Sequence, residues 1–144
     1  ESCPTMLNYA VHAKADSLYN TPPVFAVYMA CLVTRWRKKE GGIAEMDRRA
    51  KERSGLIYDV IDKSDGFYIN TIAPQARSRM NVVFTLAEEA LTELFVKEAA
   101  DAGLTNLKGH RLAGGIRASL YNAQPKEAAQ ALANFMTVFA ARHG

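Results

Sequence analysis

The order in which strand-length and helix-length apolar segments follow one another constrains this chain most. Two long helical periods come first. Val24, Tyr28, Cys31 and Leu32 recur at helical spacing ahead of Gly41-Gly42, and Ile43, Met46, Ala50, Ile57 and Ile61 mark the buried face of a stretch over 43–61. Short strand-like runs then arrive in pairs. Residues 67–72 and 80–84 precede a helix that runs to Ala102. Residues 105–109 and 115–121 precede a helix starting at Pro125, with Ala128, Leu132, Phe135, Met136 and Phe139 on its inner face. The order helix, helix, strand, strand, helix, strand, strand, helix predicts an α+β domain, with helices segregated against a small, mostly antiparallel sheet.

Local signals sharpen these boundaries. Thr21 followed by Pro22 predicts an N-cap and a proline at the first helical position. Thr85 with Glu88 has the spacing of a capping box, and Gly103 suits the left-handed residue just past a helix end. The first twenty residues show little periodicity and read as an extended or looped lead. The expected division is therefore a leading segment over 1–23 and a domain over 24–144.

Charge and composition exclude several classes of function. No apolar run approaches the roughly 18 residues needed to span a bilayer, and Glu1 opens a polar, proline-containing stretch unlike a secretory signal. The net charge is +3, and much of the excess is local: 35–53 holds eight basic residues against four acidic ones. Apart from Trp36, no aromatics interleave with these charges as a base-stacking platform requires, so the run reads as a solvated helix surface and not as a nucleic-acid site. Cys3 and Cys31 have neither CxxC spacing nor a nearby histidine cluster, so no metal site is expected. Cys31, within an apolar run, reads as a buried free thiol, and the lack of a disulfide framework suits the cytoplasm. His12 and His143 read as surface residues.

Two stretches carry candidate chemistry. In Tyr19-Asn20-Thr21-Pro22-Pro23, an amide and a hydroxyl stand at a helix N-terminus, where unpaired N–H groups and the helix dipole favour a phosphate; the alternative is that Thr21 is only a cap. In the stretch Lys108 to Arg117, Arg111, Arg117 and His110 lie among Gly109, Gly114 and Gly115. Glycines admit a ligand close to the backbone, and arginines grip carboxylates or phosphates bidentately. The alternative is a glycine turn flanked by exposed arginines. Arg117 falls inside an apolar strand pattern, where a charge needs a partner.

The stretch Asp16-Ser17-Leu18-Tyr19-Asn20-Thr21-Pro22-Pro23 resembles one found in phosphoserine aminotransferases. So do Lys108-Gly109-His110-Arg111, the run Gly114-Gly115-Ile116-Arg117-Ala118-Ser119-Leu120-Tyr121-Asn122, the linking pieces Asp65-Gly66-Phe67-Tyr68 and Ser78-Arg79-Met80-Asn81, and the ending Arg142-His143-Gly144. The likeness runs the whole length, in order. It implies the C-terminal small domain of a fold-type I aminotransferase, a class V pyridoxal 5'-phosphate enzyme working as a cytoplasmic homodimer. Such enzymes move an amino group between phosphoserine and 2-oxoglutarate in serine biosynthesis, giving 3-phosphohydroxypyruvate and glutamate. Some bacterial relatives also accept the phosphorylated hydroxythreonine of pyridoxine biosynthesis. The resemblance assigns Asn20 and Thr21 to the cofactor phosphate of the neighbouring subunit, His110 and Arg111 to the substrate phosphate, and Arg117 to the substrate α-carboxylate. Ile116 stands where methionine is frequent, a mild apolar change. No catalytic residue is expected here: the family's cofactor lysine lies upstream in its pattern, and none of the eight lysines of this chain sits in that motif. The chain alone is therefore expected to be inactive. The competing reading is a stand-alone anion-binding module that uses the same arginines without catalysis.

Overall fold

Helix boundaries in this chain are set mainly by proline, glycine and asparagine. In the computed structural model, which describes residues 3–144, the helices are α1 (Tyr9–Lys14), α2 (Val24–Lys39), α3 (Gly42–Asp62), α4 (Leu91–Asp101) and α5 (Lys126–His143). The strands are β1 (Tyr68–Ile69), β2 (Asn81–Leu86), β3 (Lys108–His110) and β4 (Gly114–Ser119). Glu1 and Ser2, where the polar lead was expected to open, lie outside the described residues. The chain forms two compact units, one ending at Gly42 and one over Ile43–Gly144. The division expected at residue 23 does not coincide with this packing boundary.

In the second unit the four strands form one antiparallel sheet in the order β1-β2-β4-β3. Alternation along β2 and β4 buries Val82, Phe84, Leu86, Ile116 and Ala118 on one face. They join Ile57 and Ile61 of α3, Phe95 and Ala99 of α4, and Leu132, Met136 and Phe139 of α5 in one hydrophobic cluster. Phe95 is its centre, meeting the rings of Tyr68, Phe84, Phe135 and Phe139 edge-on, with centroids 5.1–6.1 Å apart. The Tyr68 hydroxyl donates to the Met136 carbonyl at 2.8 Å, and burial pushes its pKa up. The α+β expectation, with a small antiparallel sheet, therefore holds.

Several local expectations do not. Two prolines delay α2: Pro23 disfavours helical geometry at Pro22, so the helix starts at Val24 with Pro23 as N-cap, and Thr21 does not cap it. Thr85 is paired to Ile69 in the sheet, so α4 begins only at Leu91, without a side-chain cap. The left-handed Gly103 (φ 83°) does follow α4, as expected. Strand β1 is shorter than predicted because Asn70 takes over the bonding: its amide donates to the Val83 carbonyl at 2.6 Å and its oxygen accepts from the Ile72 N–H at 3.2 Å. The leading residues are not a plain loop. Asn8 Oδ1 accepts from Ala10 N at 3.0 Å and so caps α1, after a 3-10 turn at Thr5–Leu7.

Burial departs from expectation wherever a helix face lacks a layer. Cys31 is exposed, like Cys3, because no residue of α2 is buried. Ile43 is 90% exposed, since the buried stripe of α3 starts one turn later at Met46. That stripe also takes in Arg53, whose Nε and Nη2 have no partner among the described residues, and desolvation pulls its pKa down. The outer face of α3 is laced by ion pairs of Arg48, Arg49 and Lys51 with Glu45, Glu52 and Asp47, so this part of the basic run is a solvated, paired surface. His143 is half-buried, its ring 4.4 Å from that of Phe139, because α5 carries it back over the core. His12 is half-buried too, held inside the leading segment.

Candidate functional site

Strands β3 and β4 form a hairpin with Lys108 opposite Ile116 and His110 opposite Gly114, leaving Arg111, Leu112 and Ala113 at its tip. Two consecutive glycines, Gly114 (φ 68°) and Gly115 (φ 65°), bring the chain back into β4 in the left-handed region that L side chains rarely adopt. Gly109 is needed for a different reason. A Cβ there would overlap the Gly114 carbonyl oxygen and stand 2.6 Å from that of Gly115. The glycines thus let two backbones close on each other at the foot of the tip.

The tip is ordered by His110. Its carbonyl accepts from Ala113 N at 3.0 Å and its Nδ1 accepts from Leu112 N at 3.2 Å. In the neutral ring the proton is then on Nε2, which has no partner among the described residues and can donate to an anion. Arg111 follows immediately, exposed, with no hydrogen bond or ion pair among the described residues. Both residues line a groove of about 1120 Å³, which is also lined by Thr85, Glu89, Glu93 and Lys97.

Arg117 is reached by the pleat. It pairs with Val83 across β2 and β4, on the sheet face away from the core, two residues beyond Gly115. Its backbone N–H donates to the Leu107 carbonyl at 2.8 Å. Its side chain is half-buried, and Nε has no partner among the described residues. Burying a guanidinium edge without an acceptor is costly, so this is where an anion would be held most firmly. The structure brings His110 and Arg111 into one groove; Arg117 is not part of that groove's lining.

Asn20 and Thr21 belong to the first unit and are exposed just ahead of the two prolines and the sixteen-residue α2. The Asn20 amide donates to Met6 Sδ at 3.6 Å, while the Thr21 hydroxyl bonds to nothing among the described residues. Pro23 gives α2 no side-chain cap. An uncapped helix start next to a free hydroxyl and an amide is a donor set that fits a phosphate, as pyridoxal phosphate would present. Among the described residues, no group of His, Cys, Asp and Glu could hold a metal, and no helix is long and apolar enough to cross a membrane. Lys108 and Lys97 line the groove but are exposed, as a covalent cofactor anchor would not be. Sequence reasoning missed the contribution of Glu89, just ahead of α4, and of Glu93 and Lys97 within it, because nothing in their spacing says what they face.

A sequence profile of class-V aminotransferases matches residues 2–132. The chain is 55% identical to phosphoserine aminotransferase of Laribacter hongkongensis over 98% of its length, and 51% identical to that of Shouchella clausii over 97%. It superposes on phosphoserine aminotransferase from Bacillus circulans subsp. alkalophilus with a TM-score of 0.88 at 45% identity, over 99% of this chain and 39% of that one. It also superposes on PLP-bound phosphoserine aminotransferase from Trichomonas vaginalis with a TM-score of 0.81 at 39% identity, over 94% of this chain and 39% of that one. The chain spans 38–39% of the length of these curated relatives.

Proposed function

This chain belongs to the class-V aminotransferase family, and on that footing we propose that it is the C-terminal part of a pyridoxal-phosphate-dependent phosphoserine aminotransferase of serine biosynthesis. The whole enzyme interconverts phosphoserine and 2-oxoglutarate with 3-phosphohydroxypyruvate and glutamate, as a cytoplasmic homodimer. The leading segment, 1–23, supplies Asn20 and Thr21 to the cofactor phosphate of the neighbouring subunit. Residues 24–144 supply the substrate site.

The observation that carries this reading is the arrangement of unpaired cationic and donor groups along one glycine-built hairpin. His110 and Arg111 both line the groove, and their donors suit a phosphate dianion. Arg117, on the outward face of β4 with a buried, unpaired Nε, suits the substrate α-carboxylate. Groups fixed at both ends of a short substrate hold its Cα in one orientation, which is what stereospecific proton transfer at that carbon requires. Pyridoxal phosphate supplies the electron sink when bound. Its lysine anchor is not among the lysines of this chain, so the chain alone binds and orients but does not turn over.

The test measures phosphoserine:2-oxoglutarate aminotransfer, with added pyridoxal phosphate, on the whole enzyme and on this chain in parallel. Activity in the first and none in the second is the expected result. Arg117→Ala in the whole enzyme should lower kcat/KM for phosphoserine by roughly 100-fold, the worth of about two charge-assisted hydrogen bonds; near-normal kcat/KM removes its role. A cofactor-loaded whole enzyme that binds phosphoserine but transfers nothing would favour the anion-binding module instead.

A further inference from the structure

Asn20 and Thr21 stand on exposed backbone. Pro22 and Pro23 stiffen it on one side. On the other side the constraint comes from contacts that meet at His12. The His12 carbonyl accepts from Ser17 N at 2.9 Å and from Ala15 N at 3.2 Å, closing α1 through two successive left-handed residues, Asp16 (φ 49°) and Ser17 (φ 62°). The His12 ring reaches in two directions. Its Nε2 donates to the Met6 carbonyl at 2.9 Å, and it packs T-shaped with the Tyr19 ring, the planes at 79° and the centroids 6.1 Å apart. Met6 completes the circuit, because its sulfur accepts the Asn20 amide at 3.6 Å.

One imidazole therefore touches the residue just before Asn20 and also fixes the backbone of the residue that holds the Asn20 side chain. Thioether sulfur is a weak acceptor, so the contact orients the amide without using it up: Nδ2 carries two N–H groups, and the second is left for a ligand. The ring contact sets Tyr19, and through it the direction in which the chain passes Asn20 and Thr21. Neither function needs His12 to touch a ligand.

We propose that His12 is the positioning residue of the Asn20–Thr21 phosphate site, acting through the Met6 carbonyl and the Tyr19 ring. The inference rests on the reading that Asn20 and Thr21 hold the cofactor phosphate. Its consequence is that cofactor affinity depends on a side chain that does not contact the cofactor.

The experiment uses the whole enzyme and reads two quantities besides activity: the dissociation constant of pyridoxal phosphate after resolution and reconstitution, and the 31P resonance of the bound cofactor. His12→Ala should weaken the cofactor by about tenfold, the equivalent of one hydrogen bond, and displace the 31P resonance. His12→Gln, whose amide N–H can reach the same carbonyl but which has no ring to meet Tyr19, should restore part of both. His12→Asn is polar but too short and should behave like alanine, so the Gln–Asn pair keeps the test sound if the alanine variant fails to fold. In an Asn20→Ala background, His12→Ala should add little, since it acts through that residue. If Asn20→Ala weakens the cofactor and His12→Ala does not, the positioning role is overturned and the site reading stands. If neither Asn20→Ala nor Thr21→Val alters cofactor affinity, the site reading falls and takes this inference with it.

Discussion

Replacing Gly109 by alanine should open the β3–β4 hairpin, whereas the same change at Gly114, five residues away, should barely loosen it. The added Cβ at Gly109 would overlap the Gly114 carbonyl oxygen and stand 2.6 Å from the Gly115 oxygen. All the obstructing atoms are backbone, so no side-chain rotation relieves them. β3 would have to retreat from β4 by roughly 1.5 Å or more to reach ordinary contact distance, enough to break the pairing that holds Lys108 opposite Ile116 and His110 opposite Gly114. Losing two or three hairpin hydrogen bonds, each worth about 1 kcal/mol net, costs about 2–3 kcal/mol. At Gly114 (φ 68°) a Cβ meets nothing within 4 Å, so only the left-handed strain remains, about 1 kcal/mol. Because β3 is an edge strand, the opening is local. Hydrogen exchange of the Arg117 amide, which donates to the Leu107 carbonyl, reads it directly. Its protection should fall about 30- to 150-fold in Gly109→Ala and about fivefold in Gly114→Ala. Equal protection in wild type and Gly109→Ala, or a larger loss in Gly114→Ala, would refute the steric reasoning.

Three further outcomes follow from the same geometry. Phe95→Ala removes the fully buried centre of the aromatic cluster and should destabilise the chain by about 3–5 kcal/mol in urea titration. Arg77→Lys exchanges a fork that meets both Asp62 oxygens at 2.7 Å, with its guanidinium 4.7 Å above the Tyr58 ring, for a single point charge; a loss of about 1 kcal/mol is expected, and Arg77→Lys in an Asp62→Asn background should cost less. Glu45 is held near a pKa of about 2 by hydrogen bonds from Arg48 and Arg49. A pKa depressed on folding gives stability that is present above the unfolded value of about 4.3 and lost as pH falls toward 2. The urea midpoint should therefore drop across that window, and Glu45→Gln should flatten the drop.

What the sequence showed of the fold followed the strength of each local signal. Periodicity located α3 and α5 to within about two residues, because each has a long buried stripe and a break in the chain at its start. It failed at Thr85, where a capping-box pattern competes with strand alternation. The ladder to β1 outweighs a cap, since pairing Thr85 satisfies its backbone and also buries Leu86 on the core face. Asn8 is the opposite case. An asparagine two residues ahead of the N–H it accepts is a legible helix start, yet a six-residue helix has too few turns for periodicity to announce it. Burial was the least legible property. Cys31 and Met46 both sit at helical spacing in apolar stretches, but only Met46 is buried, and the difference lies in what covers each face.

The candidate site divides along the same line. Gly109, Gly114 and Gly115 were legible as a glycine cluster that could admit a ligand; the structure shows close backbone approach at Gly109 and Gly115 and only a left-handed backbone at Gly114. That His110 and Arg111 share a groove and Arg117 does not is a product of register. His110 precedes the turn and Arg111 sits on its tip, while Arg117 is fixed opposite Val83 by a pairing no local motif states. A slip of one residue in that pairing would turn Arg117 into the core and Ile116 out to solvent. The hydrophobic alternation of β4 therefore aims the arginine: burying Ile116, Ala118 and Leu120 forces Arg117 and Ser119 onto the outward face. The guanidinium whose Nε is left unpaired among the described residues is held in place by apolar residues on the other face of the strand. Exchanging Ile116 for the methionine frequent in related sequences keeps that face apolar, so it should leave the aim of Arg117 unchanged.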